Sequence, residues 1–346
     1  MSQYPSLSFP KQGTSGLQKS RISWRTFLFH NSAAFALFFT IMSGSLQAAE
    51  KEPPNSLTAN ESPALTLLYI SDYFSFVGAD GQGSVAFALD NNRGRDGDAF
   101  QAEHFVVLHD ERIGWIDVAG NGSYDNTKQD LLRIPDSPYF QFEGTPATGL
   151  TISSPANTLT LRIDPIPQRQ HRTHERSTLW LGSAPAVLTW QGRAIQGRVI
   201  YESLMMPDFN RLTRTYFGIW KEFQGFYLLT GKADDLYLHS QHSERLAPLV
   251  GMLTGFSVSN GQTESLDNLN FVELNHDMAL GFYRWPTVWR VTWQGSKGPA
   301  TAALRLSERQ GIKNWVIGGF SMGIIRGELT YDGHTQPVYG LVELIM

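Results

Sequence analysis

The chain has 346 residues, enough for two domains with cores of their own, carries a formal net charge of −4 and contains no cysteine. An acidic balance argues against nucleic acid as a partner, because phosphate binding needs clustered Lys and Arg. Without cysteine the fold does without disulfides, and no lipid can be attached through a thiol. The 17% charged fraction is low and the 12% aromatic fraction generous, a balance that suits β-sheets built around bulky side chains.

Residues 1–49 differ from the rest. Lys11, Lys19, Arg21 and Arg25 precede the apolar run Ala33–Met42, and the small-residue stretch Ser43–Ala49 follows it. A basic region, a short hydrophobic region and a small-residue exit form the pattern of a Sec-type export signal, which predicts a periplasmic protein. The apolar run is short for a membrane span, so a retained anchor is the alternative reading. Residues 50–64, with Pro53, Pro54 and Pro63 among polar residues, read as a tether.

From Leu65 onward short strands dominate. Leu65–Ile70, Tyr73–Val77 and Val85–Leu89 are apolar or alternating, and Asp80-Gly81 signals a turn. Asp90–Asp98 reads as a loop. Phe100–His109 alternates with a period of two, placing Glu103, Phe105, Val107 and His109 on one face. Trp115–Val118 and Thr158–Ile163 are further strands, and Pro165–Arg176 reads as a polar loop. Trp220–Leu229, ending in a strand at Phe226–Leu229, reads as the join between the halves, and later strands are expected at Leu236–His239, Phe271–Leu274, Val288–Trp293, Ala302–Leu306, Trp315–Phe320 and Ile324–Tyr331. Helical periodicity is scarce, with one short helix possible over Glu244–Leu253. Many short strands joined by turns close most readily into barrels or sandwiches.

One unit occurs twice. Leu188-Thr189-Trp190-Gln191-Gly192 leads to Tyr201-Glu202, and Leu329-Thr330-Tyr331-Asp332-Gly333 leads to Glu343 at the same interval. Each copy reads as a hairpin, with an aromatic strand end, a Gly turn and a strand reaching a glutamate. Tyr73–Gly78 parallels Phe226–Gly231 in addition. Duplication of this length predicts two similar domains in tandem, over residues 65–225 and 226–346.

Gly197–Glu202, Trp220, Phe226–Leu229 and Asp234–Leu238, together with the closing Tyr339–Leu344, resemble the AttH-like and carotenoid 1,2-hydratase (hydroxyneurosporene synthase) group. The resemblance implies an all-β protein of two tandem lipocalin-like (calycin-type) antiparallel barrels. The chain departs from that group where it often shows a Trp and an Asp-His pair: Ile200, Glu202 and Ser203 stand there instead.

Hydration of an isolated alkene needs a carboxylic acid that stays protonated in an apolar pocket. Glu202 and Asp208 are the candidates; Glu202 also reads as a strand-end residue capping a barrel rim or pairing with Arg198 or Arg211. Glu103 and His109 share a face but lie about 20 Å apart at roughly 3.3 Å per residue, too far for a proton relay. His171-x-x-His174 and His239-x-x-His242 have metal-ligand spacing only on a helix, and neither segment reads as helical. Asp117–Asp125 falls short of a calcium loop because Ala119 and Lys128 occupy ligand positions. Trp285, Trp289, Trp293 and Trp315 read as core, as the wall of an apolar cavity, or as sugar-stacking platforms, and Tyr201 and Trp220 join them as candidate ligand contacts. No phosphate-binding Gly loop or G-x-S-x-G elbow is present. The sequence thus predicts an exported protein that binds a hydrophobic small molecule or lipid and needs no metal or cofactor, with peripheral membrane association possible. A cofactor-free hydratase or isomerase of isoprenoid-like substrates and a carbohydrate-binding module are the alternatives.

Overall fold

The computed structural model describes residues 67–96, 99–124, 134, 136–166, 169–174, 177–207, 223–231, 234–241, 255–259, 262–266, 268–279, 283–310, 313–315 and 318–345. All lie within the compact unit Pro53–Met346. The predicted leader, the tether, Asp208, Trp220 and the helix predicted at Glu244–Leu253 lie outside the described residues.

Eleven strands form the first sheet: β1 (Leu67–Asp80), β2 (Gly83–Asp96), β3 (Ala99–Asp110), β4 (Gly114–Ile116), β5 (Gly122–Tyr124), β6 (Gln141–Thr145), β7 (Gly149–Ser154), β8 (Leu159–Ile163), β9 (Arg169–His174), β10 (Ser177–Trp190) and β11 (Arg193–Pro207). The second sheet holds β12 (Phe223–Thr230), β13 (Asp235–Gln241), β14 (Gly255–Ser259), β15 (Gln262–Leu266), β16 (Asn270–Ala279), β17 (Tyr283–Gly295), β18 (Gly298–Arg309), β19 (Lys313–Trp315), β20 (Gly318–Tyr331) and β21 (His334–Ile345). The strand orders, β4-β3-β2-β1-β11-β10-β8-β7-β6 and β15-β14-β13-β12-β21-β20-β18-β17-β16, are the same path walked twice. Each sheet curls as a half-barrel around a core of its own, so the protein is all-β with two lipocalin-like units.

The repeated hairpin explains the match. Gln191 (φ 49°) and Gly192 (φ 76°) turn β10 into β11, and Asp332 (φ 54°) and Gly333 (φ 70°) turn β20 into β21. Positive φ at both central residues gives a turn whose twist suits two-residue hairpins, which is why Gly recurs there. The second parallel needs correction by one residue. Glu202 pairs with Tyr73 across β1, whereas Glu343 pairs with Gly225 across β12. The counterpart of Tyr73 is therefore Gly225, and that of Ser75 is Tyr227.

Two predicted loops are strands. Asp90–Asp96 continues β2, because Asn91, Asn92 and Arg93 find partners inside the sheet. Arg93 Nη1 lies 2.6 Å from Asp72 Oδ2 and donates to Asn91 Oδ1 at 3.2 Å, and Asn91 Nδ2 lies 2.8 Å from His104 Nε2. Tertiary partners thus outweigh the turn propensity of these residues. Arg169–His174 of the second loop forms β9 on the side of β10, where His171 stacks on Trp180 with ring centroids 4.0 Å apart.

Strand periodicity then divides the apolar residues among three cores. Phe74, Phe87 and Val199 fill the first sheet, while Phe226, Leu236 and Val342 fill the second. Residues on the opposite faces, among them Tyr73, Ala88 and Ile200 of the first sheet and Tyr227, Tyr237 and Leu341 of the second, share a third core in the seam between the sheets. Polar ties close the seam. Arg198 and Ser183 of the first sheet both bond Asp235 of the second, Glu308 Oε2 lies 2.9 Å from His109 Nε2, and Arg326 reaches Glu111 at 2.7 Å.

Candidate active site

Glu202 sits in the middle of β11, and the pleat aims it into the seam while its neighbour Tyr201 points the other way. It is 9% exposed. Desolvation pushes its carboxyl from 4.5 up to about 7; a hydrogen bond from Tyr237 opposes the rise and the charge of Asp90 adds to it. The Tyr237 hydroxyl donates to Glu202 Oε2 at 3.1 Å. At neutral pH a large share of Glu202 is therefore a neutral acid.

Glu343 on β21 faces the same seam. Burial of its carboxyl raises it well above the usual carboxylate range, the charges of Asp90 and Glu202 raise it further, and a hydrogen bond with Tyr227 draws it back. Two carboxyls that feel each other in apolar surroundings do not ionise together readily. Tyrosine rings bridge them: Tyr73 to Tyr227 at 4.8 Å, Tyr227 to Tyr237 at 5.2 Å, and Tyr237 to Phe256 at 5.5 Å between centroids. The Tyr73 hydroxyl is buried beside these acids and has no hydrogen-bond partner among the described residues. A buried donor left unpaired costs about 1–3 kcal/mol, so this hydroxyl marks a place that suits a water or a ligand oxygen.

Comparison with solved structures fits the arrangement of strands. An AttH protein assigned only provisionally, from Nitrosomonas europaea, superposes with a TM-score of 0.52 at 12% identity, covering 86% of this chain and 99% of that one. The chain has the AttH-like fold. Kievitone hydratase from Nectria haematococca superposes with a TM-score of 0.50 at 13% identity, over 80% of this chain and 88% of that one. No protein-family profile matches the sequence, and no curated protein matches it. At these identities the likeness concerns the fold alone.

Within the AttH-like fold the residues singled out from sequence go to different places. Glu202 is neither at a strand end nor paired with Arg198, which bonds Asp235 instead. Tyr201 lies in the first sheet's core, stacked on Phe74 at 5.0 Å, with its hydroxyl donating to Asp72 Oδ1 at 2.6 Å. Trp285, Trp289 and Trp293 are buried in the second sheet's core, away from the seam, and Trp289 Nε1 donates to Gln224 Oε1 at 2.7 Å. Buried in this way, they offer no face for a sugar to stack on. Trp315 ends β19, and its side chain lies outside the described residues. His239 packs against Phe223 at 5.0 Å. His109, considered with Glu103, instead meets Glu308 of the other sheet. Asn121 shapes its turn by accepting from the Val106 amide at 2.7 Å and donating to the Val106 carbonyl at 3.0 Å.

The tyrosines are what sequence reasoning missed. Tyr237 lies between Leu236 and Leu238, and the alternation of β13 puts it on the opposite face from both. The same alternation places Tyr73 and Tyr227 on the face of Glu202 and Glu343. The missing information was that this outward face of each sheet is buried by the other sheet.

Proposed function

We propose that the protein binds a hydrophobic small molecule of lipid or isoprenoid kind in the seam between its two domains, over residues 65–225 and 226–346, and hydrates or isomerises it without a cofactor. The observation that carries this reading is Glu202, a buried carboxyl held near half-protonation, bonded to Tyr237 and beside the unpaired hydroxyl of Tyr73. A carrier alone has little use for two desolvated acids in an apolar seam, whereas acid–base catalysis needs such tuning. Protonated Glu202 delivers its proton to the alkene, water attacks the resulting carbocation, and the proton lost by that water returns to the Glu202–Glu343 pair. Tyr73 is placed to hold the attacking water. Kievitone hydratase, which shares the fold, is by its name a hydratase, and this agrees with the reading. The export signal expected over residues 1–49 would put the reaction in the periplasm.

The test is turnover of an acyclic isoprenoid alkene in D2O, with product identified by mass spectrometry. Deuterium on carbon and added water are expected, both abolished in Glu202→Gln with the circular dichroism spectrum unchanged. Turnover unaffected by that substitution would falsify the assignment. Stoichiometric release of bound lipid on solvent extraction, with no turnover, would leave a carrier of the same ligand class.

A further inference from the structure

The seam has a second polar end. Four residues along β21 from Glu343, about 13 Å at the usual strand rise, Tyr339 faces the same space. Its hydroxyl, Trp115 Nε1 and His109 Nδ1 are all buried without a hydrogen-bond partner among the described residues. The rings of His109 and Trp115 meet edge to face at 5.0 Å, and Trp115 and Tyr339 both pack on the seam core. Tyr339 feels the charge of Glu308, the acid that holds His109. Arg326 lies 5.2 Å over the Tyr339 ring while paired with Glu111, so this cation is already engaged. Between the two ends the seam is lined by small or aliphatic side chains, including Ala86, Ala88, Val107 and Leu341.

Three orphaned polar atoms in one place are uncommon, because buried polar groups are nearly always satisfied. Their chemistry selects a partner. Trp115 Nε1 can only donate. His109 Nε2 is taken up by Glu308, and its free Nδ1 can accept or donate according to the tautomer. Tyr339 can donate or accept. A group that both accepts and donates satisfies this set better than a carbonyl does, and a carboxylate would face Glu308 and Glu111. We propose that His109, Trp115 and Tyr339 form a specificity subsite that takes a hydroxyl group on an otherwise apolar ligand lying along the seam. The inference rests on the seam being the ligand site, as in the proposed function, but not on any turnover there.

Binding of farnesol and of the hydrocarbon farnesene to the full chain by titration calorimetry tests it. The wild type should bind farnesol more tightly. Tyr339→Phe, which keeps the ring and removes only the unpaired hydroxyl, should weaken farnesol binding about 5-fold, the effect of one lost hydrogen bond. Farnesene binding should stay unchanged, and the melting temperature of the free protein should hold or rise, because an unpaired buried hydroxyl is removed. A wild type that does not favour farnesol, including one that binds neither compound, overturns the subsite. So does equal weakening for both ligands, or a lowered melting temperature with unchanged selectivity, which would mean that the groups hold structural water only. Selective binding without catalysis would sustain the subsite while sinking the hydratase reading, so the two failures are separable.

Discussion

Replacing Glu202 with Gln should change how stability depends on pH. In the unfolded chain the carboxyl titrates near 4.5, whereas in the fold it titrates near 7. At about 1.4 kcal/mol per pH unit the gap is worth about 3 kcal/mol. Because the folded state binds this proton more tightly, its contribution is fully present below pH 4.5 and is lost as pH rises toward 7, with no further change above that. Gln is a close isostere that cannot ionise and still accepts from Tyr237. The variant should therefore match the wild type near pH 4.5 and exceed it by up to about 3 kcal/mol at pH 8. Paired denaturant titrations from pH 4.5 to 8 give the difference curve directly, with the other titrating groups largely cancelling. Removing one negative charge also eases ionisation of Glu343, which adds to the same trend. A difference curve flat across this range would show that Glu202 is not desolvated, and the catalytic argument would lose its basis.

Tyr237→Phe removes the bond that favours ionised Glu202, so the step in the same difference curve should move to higher pH; a step that stays in place would contradict the contact. Asp72→Asn takes the charge off a carboxylate 2.6 Å from the buried Arg93 guanidinium, which should cost about 3–5 kcal/mol in a denaturant titration, and an unchanged midpoint would show the pair to be of no consequence. Gly78→Ala puts a methyl group 2.5 Å from the Gln196 carbonyl and 2.6 Å from the Phe76 ring, so a loss of about 1–3 kcal/mol is expected in thermal unfolding; full stability would mean that β1 and β11 can part locally.

Much of the fold was legible because the signals were local. Alternation marked the strands, and Gln191-Gly192 and Asp332-Gly333 fixed two hairpins in matching register. Legibility stopped where long-range partners override local propensity. Asp90-Asn91-Asn92-Arg93 carries turn residues, yet it is strand because Asp72 and His104 satisfy it from elsewhere. The site was half visible. Glu202 and Glu343 stood out as repeated acids, but repetition read as a structural role, and only the closing of two outward faces on each other turned them into a desolvated pair. Trp285, Trp289 and Trp293 drew attention by size and lie in the second sheet's core, while the tyrosines of the seam were hidden by the regular spacing of their strands.

The repeat is imperfect where the two halves meet. Tyr237 occupies the position equivalent to Ala88, Tyr227 that of Ser75, and Tyr73 that of Gly225, so each bulky ring in one half corresponds to a small residue in the other. Across the seam the Tyr73 and Tyr227 rings lie 4.8 Å apart, and in a doubled first half Tyr73 would meet a serine at the place of Tyr227. The seam is therefore furnished unequally by its two sides, and a change on one side has no equivalent on the other.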